Sequence, residues 1–128
     1  MAARLNISTI HFEAGGCLGE CPIFSLTIYS NGTVIYHASM FNEKQGIFLS
    51  IIPKRKLARL TKAISDSVFF HLEDGYEAPC TCMPTYILEV TLIDGQTKRI
   101  EDYGPYGPYE LQLLYKRMFR IRESHQWD

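Results

Sequence analysis

The clearest alternation of hydrophobic and polar residues lies between positions 23 and 39. Apolar side chains stand at positions 24, 26 and 28, and a second β-rich run follows Asn31-Gly32. Asn-Gly favours a two-residue type I′ turn, so this segment predicts a β-hairpin. Pairing outward from that turn sets Leu26 opposite His37, which predicts that His37 lies on the core-facing side of its strand.

A second hairpin is predicted from position 86 onward, where apolar side chains stand at every second position up to 92. A two-residue turn at Asp94-Gly95 would point Ile100 away from Leu88. A three-residue loop that ends in a left-handed Gly95 instead pairs Leu88 with Ile100 on one face. We therefore predict the three-residue loop.

Two segments have the apolar spacing of helices. Pro53 suits the first turn of a helix, because its missing N–H removes no hydrogen bond there. The predicted core-facing residues of this helix are Leu57, Leu60, Ile64 and Val68, and those of a second helix near the end of the chain are Leu111, Leu114, Tyr115 and Met118.

Two further strands complete the predicted architecture. Residues 5–12 alternate loosely before Gly15-Gly16, and residues 46–52 form a short apolar run. The element order is β-β-β-β-α-β-β-α, with strands joined mainly by hairpins. It predicts an α+β fold in which an antiparallel sheet of about six strands carries two helices on one face. With no linker or low-complexity tract, residues 1–128 are expected to form a single domain.

The composition argues against nucleic-acid-binding and membrane-spanning proteins. Thirteen Lys and Arg against fourteen Asp and Glu give a net charge of -1, without the basic excess that nucleic-acid binding requires, so no nucleic acid is expected as a partner. No apolar run is long enough to span a bilayer, and the first ten residues lack the apolar core of a secretory signal. A soluble, cytoplasmic protein that does not enter membranes is therefore expected.

The four cysteines carry the most chemistry. Cys17 and Cys21 stand in a glycine-rich loop that can fold their sulfurs together, whereas Cys80 and Cys82 are expected to point the same way from an extended stretch. Four thiolates could hold zinc if the two loops met, although C-x-C is a short spacing for zinc. A redox pair at Cys17 and Cys21, and purely structural cysteines, remain alternatives.

Other candidates have weaker support. The phosphate-loop, serine-hydrolase and zincin motifs are absent, and the adjacent acids Glu101 and Asp102 are expected to be solvated rather than catalytic. An enzyme is therefore not favoured. The segment with Tyr103, Tyr106 and Tyr109 predicts either an interaction surface or rings packed on the domain itself.

Four segments of the chain form a distinctive pattern: Cys17-x-Gly19-x-Cys21-Pro22-x-Phe24, Asn31-Gly32-Thr33-Val34-x-Tyr36, Phe69-Phe70 and Tyr76. In this pattern the chain resembles an uncharacterised bacterial family described as a domain of unknown function. The resemblance extends from about position 16 to the final helix, and it does not point to an activity.

One segment departs from that family's pattern. Its members have T-D-x-P where this chain reads Thr81-Cys82-Met83-Pro84, so a cysteine replaces the usual aspartate. The resemblance thus implies that Cys17 and Cys21 are the family's pair. Exported relatives would allow those two to form a disulfide.

These observations predict a non-enzymatic binding or interaction module with a structural cysteine loop. Its partner would be a protein or a small molecule, and a homodimer stays open. The alternative is a metal-binding module, with zinc or copper, or a thiol-redox module, either of which would use Cys17 and Cys21 together with Cys80 and Cys82.

Overall fold

The computed structural model describes residues 5–124 and 127, so the first four residues of the N-terminal segment lie outside it. It confirms the predicted α+β class, with one seven-stranded sheet and two α-helices. The elements are β1 Ile7–Ala14, β2 Phe24–Tyr29, β3 Thr33–Ala38, β4 Gly46–Ile51, α1 Lys54–Asp66, β5 Gly75–Glu77, β6 Thr85–Leu92, β7 Thr97–Tyr103 and α2 Tyr109–Ser124. A single 3-10 turn, Phe69–His71, follows α1.

The strand order in the sheet is β4-β3-β2-β1-β6-β7-β5. All neighbours are antiparallel except β5, which pairs with β7 in parallel and makes the sheet mixed. The sequence did not predict β5, because three residues are too few to show a period. A salt bridge from β7 positions the residue that precedes β5, because the Lys98 ammonium lies 2.6 Å from the Asp74 carboxylate.

Both helices cover one face of the sheet. All four residues predicted to face the core from α2 are buried, as are Leu60 and Ile64 of α1. The prediction for Val68 was wrong, because α1 ends at Asp66 and Val68 is exposed with a φ of 50°. In the part of the chain that the structure describes, neither helix has the length and apolar character needed to cross a membrane.

The first hairpin has a different register from the predicted one. β2 and β3 are joined by three residues, and Gly32 at the third has a φ of 91°. Leu26 therefore pairs with Tyr36 rather than His37. The one-residue shift turns Tyr36 into the core and leaves His37 exposed on the open face, so the prediction of a core-facing His37 was wrong.

The second hairpin has the predicted loop. Leu88 pairs with Ile100, and the Leu92 N–H donates to the Gln96 carbonyl, which leaves three residues in the loop. Gly95 is the last of the three and takes a φ of 96°. The side chain of Ile100 is consequently buried beside Leu88 and Val90. Both hairpins thus use the same kind of loop, with a left-handed glycine as its last residue.

Candidate functional site

Four connections meet at one end of the sheet, which we call the loop end: residues 15–23, 39–45, 78–84 and 104–108. The strand register brings them together, because the end of β1 lies beside the starts of β2 and β6, and the end of β7 lies beside the start of β6. These loops, with the first residue of α2, contain or adjoin every residue that the sequence proposed as a site.

The two cysteine pairs differ in their chemical state. Cys17 and Cys21 form a disulfide with their Cα atoms 5.7 Å apart, while Cys80 and Cys82 are free and exposed. Cys82 has a φ of 66°, so the expected extended stretch is instead a bend. The pairs do meet through their loops, since the Leu18 N–H donates a hydrogen bond to the Cys82 carbonyl at 3.2 Å.

The free-cysteine loop is also bonded to the end of β7. The Met83 N–H donates to the Tyr103 hydroxyl at 3.3 Å, and the Gly104 N–H donates to the Pro84 carbonyl at 2.8 Å. Gly104 has a φ of 73°, and a Cβ there would lie 2.7 Å from the Cβ of Ala78. Only glycine fits this approach, so these loops pack together as one unit.

Asp102 organises the connection that follows β7. Its side chain is fully buried, and its two oxygens accept hydrogen bonds from the Tyr106 N–H at 2.7 Å, the Gly107 N–H at 3.0 Å and the Tyr115 hydroxyl at 2.9 Å. The expectation that Asp102 is solvated was therefore wrong, whereas Glu101 is exposed as expected. The signal was present, because Asp102 stands two positions after Ile100 and so shares its core-facing side.

The environment of Tyr115 keeps its hydroxyl protonated. Burial, followed by the neighbouring Asp102 carboxyl, raises the pKa of Tyr115 far above its ordinary value. The hydroxyl therefore remains a hydrogen-bond donor to Asp102 throughout the physiological range. This contact joins α2 to the loop end.

A second polar network anchors the connection between β3 and β4. The Asn42 amide donates to the Ile23 carbonyl at 2.8 Å, and its oxygen accepts from the Tyr36 hydroxyl at 3.0 Å and from the Arg122 guanidinium at 2.8 Å. That guanidinium also lies 4.9 Å from the centre of the Phe24 ring. Sequence reasoning did not identify Asn42, because its partners come from distant parts of the chain.

The three candidate tyrosines occupy different environments. Tyr103 is half-buried with its hydroxyl bonded to the cysteine loop, while Tyr106 and Tyr109 are exposed. Tyr106 is held at its backbone by Asp102, so its ring is presented from a fixed position. Tyr109 stands at the first residue of α2.

Large apolar side chains are exposed at the loop end. Leu18 is 81% exposed at the tip of the disulfide loop, and the others are Met40, Phe41, Met83 and Tyr106. Phe41 and Cys82 have positive φ angles, which L-residues other than glycine rarely adopt. The surrounding hydrogen bonds hold these two residues in unfavourable backbone conformations.

The structure does not assemble the ligand set of the zinc or copper hypothesis. Two of the four sulfurs are bonded to each other. Among residues 5–124 and 127, no group of three or more His, Cys, Asp or Glu side chains is placed to hold a metal ion.

Fold and site together define a small α+β domain with a mostly antiparallel sheet, helices on one face and a disulfide-closed loop at one end. Residues 8–122 match the family model described as Domain of unknown function (DUF6438). The chain belongs to this family, in agreement with the resemblance seen at its cysteine loop. No curated protein matches the chain.

Proposed function

We propose that this chain is a non-enzymatic binding module that takes a partner protein at the loop end of the sheet. The observation that carries the proposal is Leu18, which is 81% exposed although the loop below it is closed by a disulfide and bonded to the Cys82 carbonyl. An apolar side chain on a fixed backbone loses little entropy when a partner covers it.

The chemistry of the surface favours an apolar contact. Residues 78–84 and 104–108 contain no charged side chain, and Glu20 is the single charge in residues 15–23. Residues 39–45 carry one charge of each sign, Glu43 and Lys44, so the part of the surface with the least charge lies on the other three connections. Central contact areas of protein interfaces are depleted in charge and enriched in aromatic residues and methionine. Tyr106 and Met83 fit that description.

The strained residues support a functional role for the same loops. Left-handed conformations of ordinary residues cost about 1 to 3 kcal/mol each and cluster at binding sites. Of the three described residues other than glycine with such conformations, Phe41 and Cys82 stand at the loop end and Val68 follows α1. The side chains of Phe41 and Cys82 are thereby directed outward, where both are exposed.

The proposal predicts that the Leu18→Asp variant no longer binds the partner protein. The tagged chain is used as bait in an extract of the cells that encode it, and recovered proteins are quantified by mass spectrometry. The recovered amount of at least one protein is expected to fall about tenfold or more with Leu18→Asp, since burial of a leucine contributes about 1.5 to 3 kcal/mol to the free energy of binding. The Kd of that protein, once purified, should rise by the same factor.

Ile93→Asp is the matched control. Ile93 is an aliphatic residue of the same size, 71% exposed, in the hairpin loop at the opposite end of the sheet. It should retain the partner. A set of recovered proteins that does not distinguish Leu18→Asp from Ile93→Asp would contradict the proposal.

A second candidate function is a thiol module that uses Cys80 and Cys82 beside the disulfide. The specific observation in its favour is the hydrogen bond from Leu18 to Cys82, which places a free cysteine against the disulfide loop. A thiolate from the free pair could attack a sulfur of the Cys17–Cys21 disulfide, forming one mixed disulfide and releasing one thiolate. No electrons are gained or lost in this exchange.

Mapping of the cysteines by mass spectrometry tests the thiol module. If exchange occurs, protein trapped with acid after incubation at pH 8 should contain disulfides between the two pairs, and the double variant Cys80→Ser, Cys82→Ser should contain only the Cys17–Cys21 disulfide. Two rapidly alkylated thiols at Cys80 and Cys82, with every disulfide between Cys17 and Cys21, would contradict exchange. Near-stoichiometric zinc or copper in protein purified without added metal would favour the metal-binding hypothesis instead.

A further inference from the structure

The edge strand β4 exposes an apolar row. Ile47, Leu49 and Ile51 are 68%, 53% and 73% exposed, and they lie on the face of the sheet opposite the helices. Their register partners on β3 are on the same open face, where Ile35 stands opposite Leu49 and extends the row. This row begins beside the connection 39–45 of the loop end and runs along β4 away from it.

The backbone of the same three residues points away from β3. The Ile52 N–H donates to the Gly32 carbonyl, and hydrogen-bonded positions alternate along an antiparallel pair. The bonded positions of β4 are therefore Gly46, Phe48 and Ser50. The N–H and C=O groups at 47, 49 and 51 face outward, and among the described residues no strand lies on that side of β4.

The two edges of the sheet are protected to different degrees. Natural edge strands avoid pairing with other chains through charge, proline or short length. The opposite edge, β5, has three residues and carries Glu77. β4 has six residues without a charge or a proline, so it is suited to accept another strand.

We propose that β4 pairs antiparallel with β4 of a second copy of this chain, about a two-fold axis at Leu49. The exposed row reads Ile-x-Leu-x-Ile, which is the same in both directions. In this register Leu49 meets Leu49 of the partner subunit, and Ile47 meets Ile51 of the partner subunit. All three exposed residues then gain an apolar neighbour on the same face.

The same register also satisfies the outward backbone groups. The three residue pairs are those whose N–H and C=O groups face outward, so the two copies exchange about six hydrogen bonds. If the two-fold axis moves by one residue along β4, outward-facing positions still meet outward-facing positions. One of the three apolar pairs is then lost, because one isoleucine meets a residue beyond the strand. Side chains and backbone therefore select one symmetric arrangement, as an isologous interface requires.

Light scattering during size-exclusion chromatography, run over a series of protein concentrations, tests the dimer. The wild-type chain is expected at about twice its monomer mass of 14.7 kDa. Leu49→Lys places two ammonium groups face to face at the axis and removes two buried leucines, so the dimer Kd should rise roughly a hundredfold or more. Leu49 is more than half exposed in the monomer, so circular dichroism should show an unchanged fold.

Ile93→Lys is the control, because Ile93 is similarly exposed and lies on no edge strand. It should remain dimeric, and Leu18→Asp should as well, which separates this inference from the proposed function. A wild-type chain that stays monomeric across the concentration series, or a Leu49→Lys variant as dimeric as wild type, overturns the proposal.

Cross-linking tests the register. In a Cys80→Ser, Cys82→Ser background, Leu49→Cys should form a dimeric disulfide under mild oxidation, because directly opposed Cα atoms lie about 5.5 Å apart. Ile47→Cys and Ile51→Cys should each cross-link poorly alone and readily when mixed. If either of these two cross-links with itself better than Leu49→Cys does, the two-fold axis at Leu49 is wrong.

Discussion

Replacing Asp102 by alanine is expected to lower the free energy of unfolding by about 3 to 5 kcal/mol. The carboxyl group is fully buried and accepts hydrogen bonds from Tyr106, Gly107 and Tyr115. Alanine leaves the part-buried N–H groups of Tyr106 and Gly107 and the buried Tyr115 hydroxyl without their acceptor. Each unsatisfied buried donor costs about 1 to 3 kcal/mol. Urea denaturation followed by circular dichroism measures the loss.

Glu101→Ala is the matched control for this prediction. Glu101 is the preceding residue on the same strand, but its side chain is exposed on the opposite face. Its replacement should change the free energy of unfolding by about 0.5 kcal/mol or less. Equal losses for the two variants would mean that the Asp102 network contributes nothing beyond strand propensity.

Asp102 also connects the stability of the fold to the proposed binding surface. It holds the backbone of Tyr106 and Gly107 and is bonded to Tyr115 on α2. Partial loss of this network should loosen residues 104–108 before the sheet itself opens, because Asp102 accepts both N–H groups in the middle of this connection. The binding surface proposed at the loop end therefore depends on a buried group that no partner would touch.

The two hairpins show how far local sequence can determine register. In the second, the requirement that Ile100 face the core selected the three-residue loop, and the structure has that loop. In the first, Asn31-Gly32 favours a two-residue turn, but the structure has a three-residue loop that ends at Gly32. That loop places Tyr36 opposite Leu26 and His37 on the open face.

The site was less predictable than the fold for a physical reason. The cysteine loops could be recognised from residue types and spacing, but their contact depends on the pairing of β1 with β6, which brings Ala14 beside Tyr86. Such long-range pairing leaves no signal in a local window. The Asn42 and Arg122 network is likewise built from segments 80 residues apart.

Replacing Phe12 by alanine is expected to lower the free energy of unfolding by about 3 to 5 kcal/mol. Phe12 is fully buried on β1, the central strand of the sheet. Its ring centre lies 5.8 Å from those of Phe24 and Tyr115, and 5.4 Å from that of Tyr86. Alanine opens a cavity that these rings cannot fill without leaving their rotamers. Thermal and urea denaturation should both report the loss.

Phe41→Ala removes the same atoms from a partly exposed ring and serves as the control. Phe41 stands in the connection between β3 and β4, away from the core cluster. Its replacement should change the free energy of unfolding by less than about 1 kcal/mol. A Phe12→Ala variant as stable as Phe41→Ala would mean that the aromatic cluster around β1 does not hold α2 on the sheet.

The packing of Phe12 also bears on the two proposed interfaces. Residues 15–23 begin directly after β1, so loss of this packing should weaken partner binding at the loop end. A dimer formed through β4 should tolerate the loss as long as the sheet remains folded.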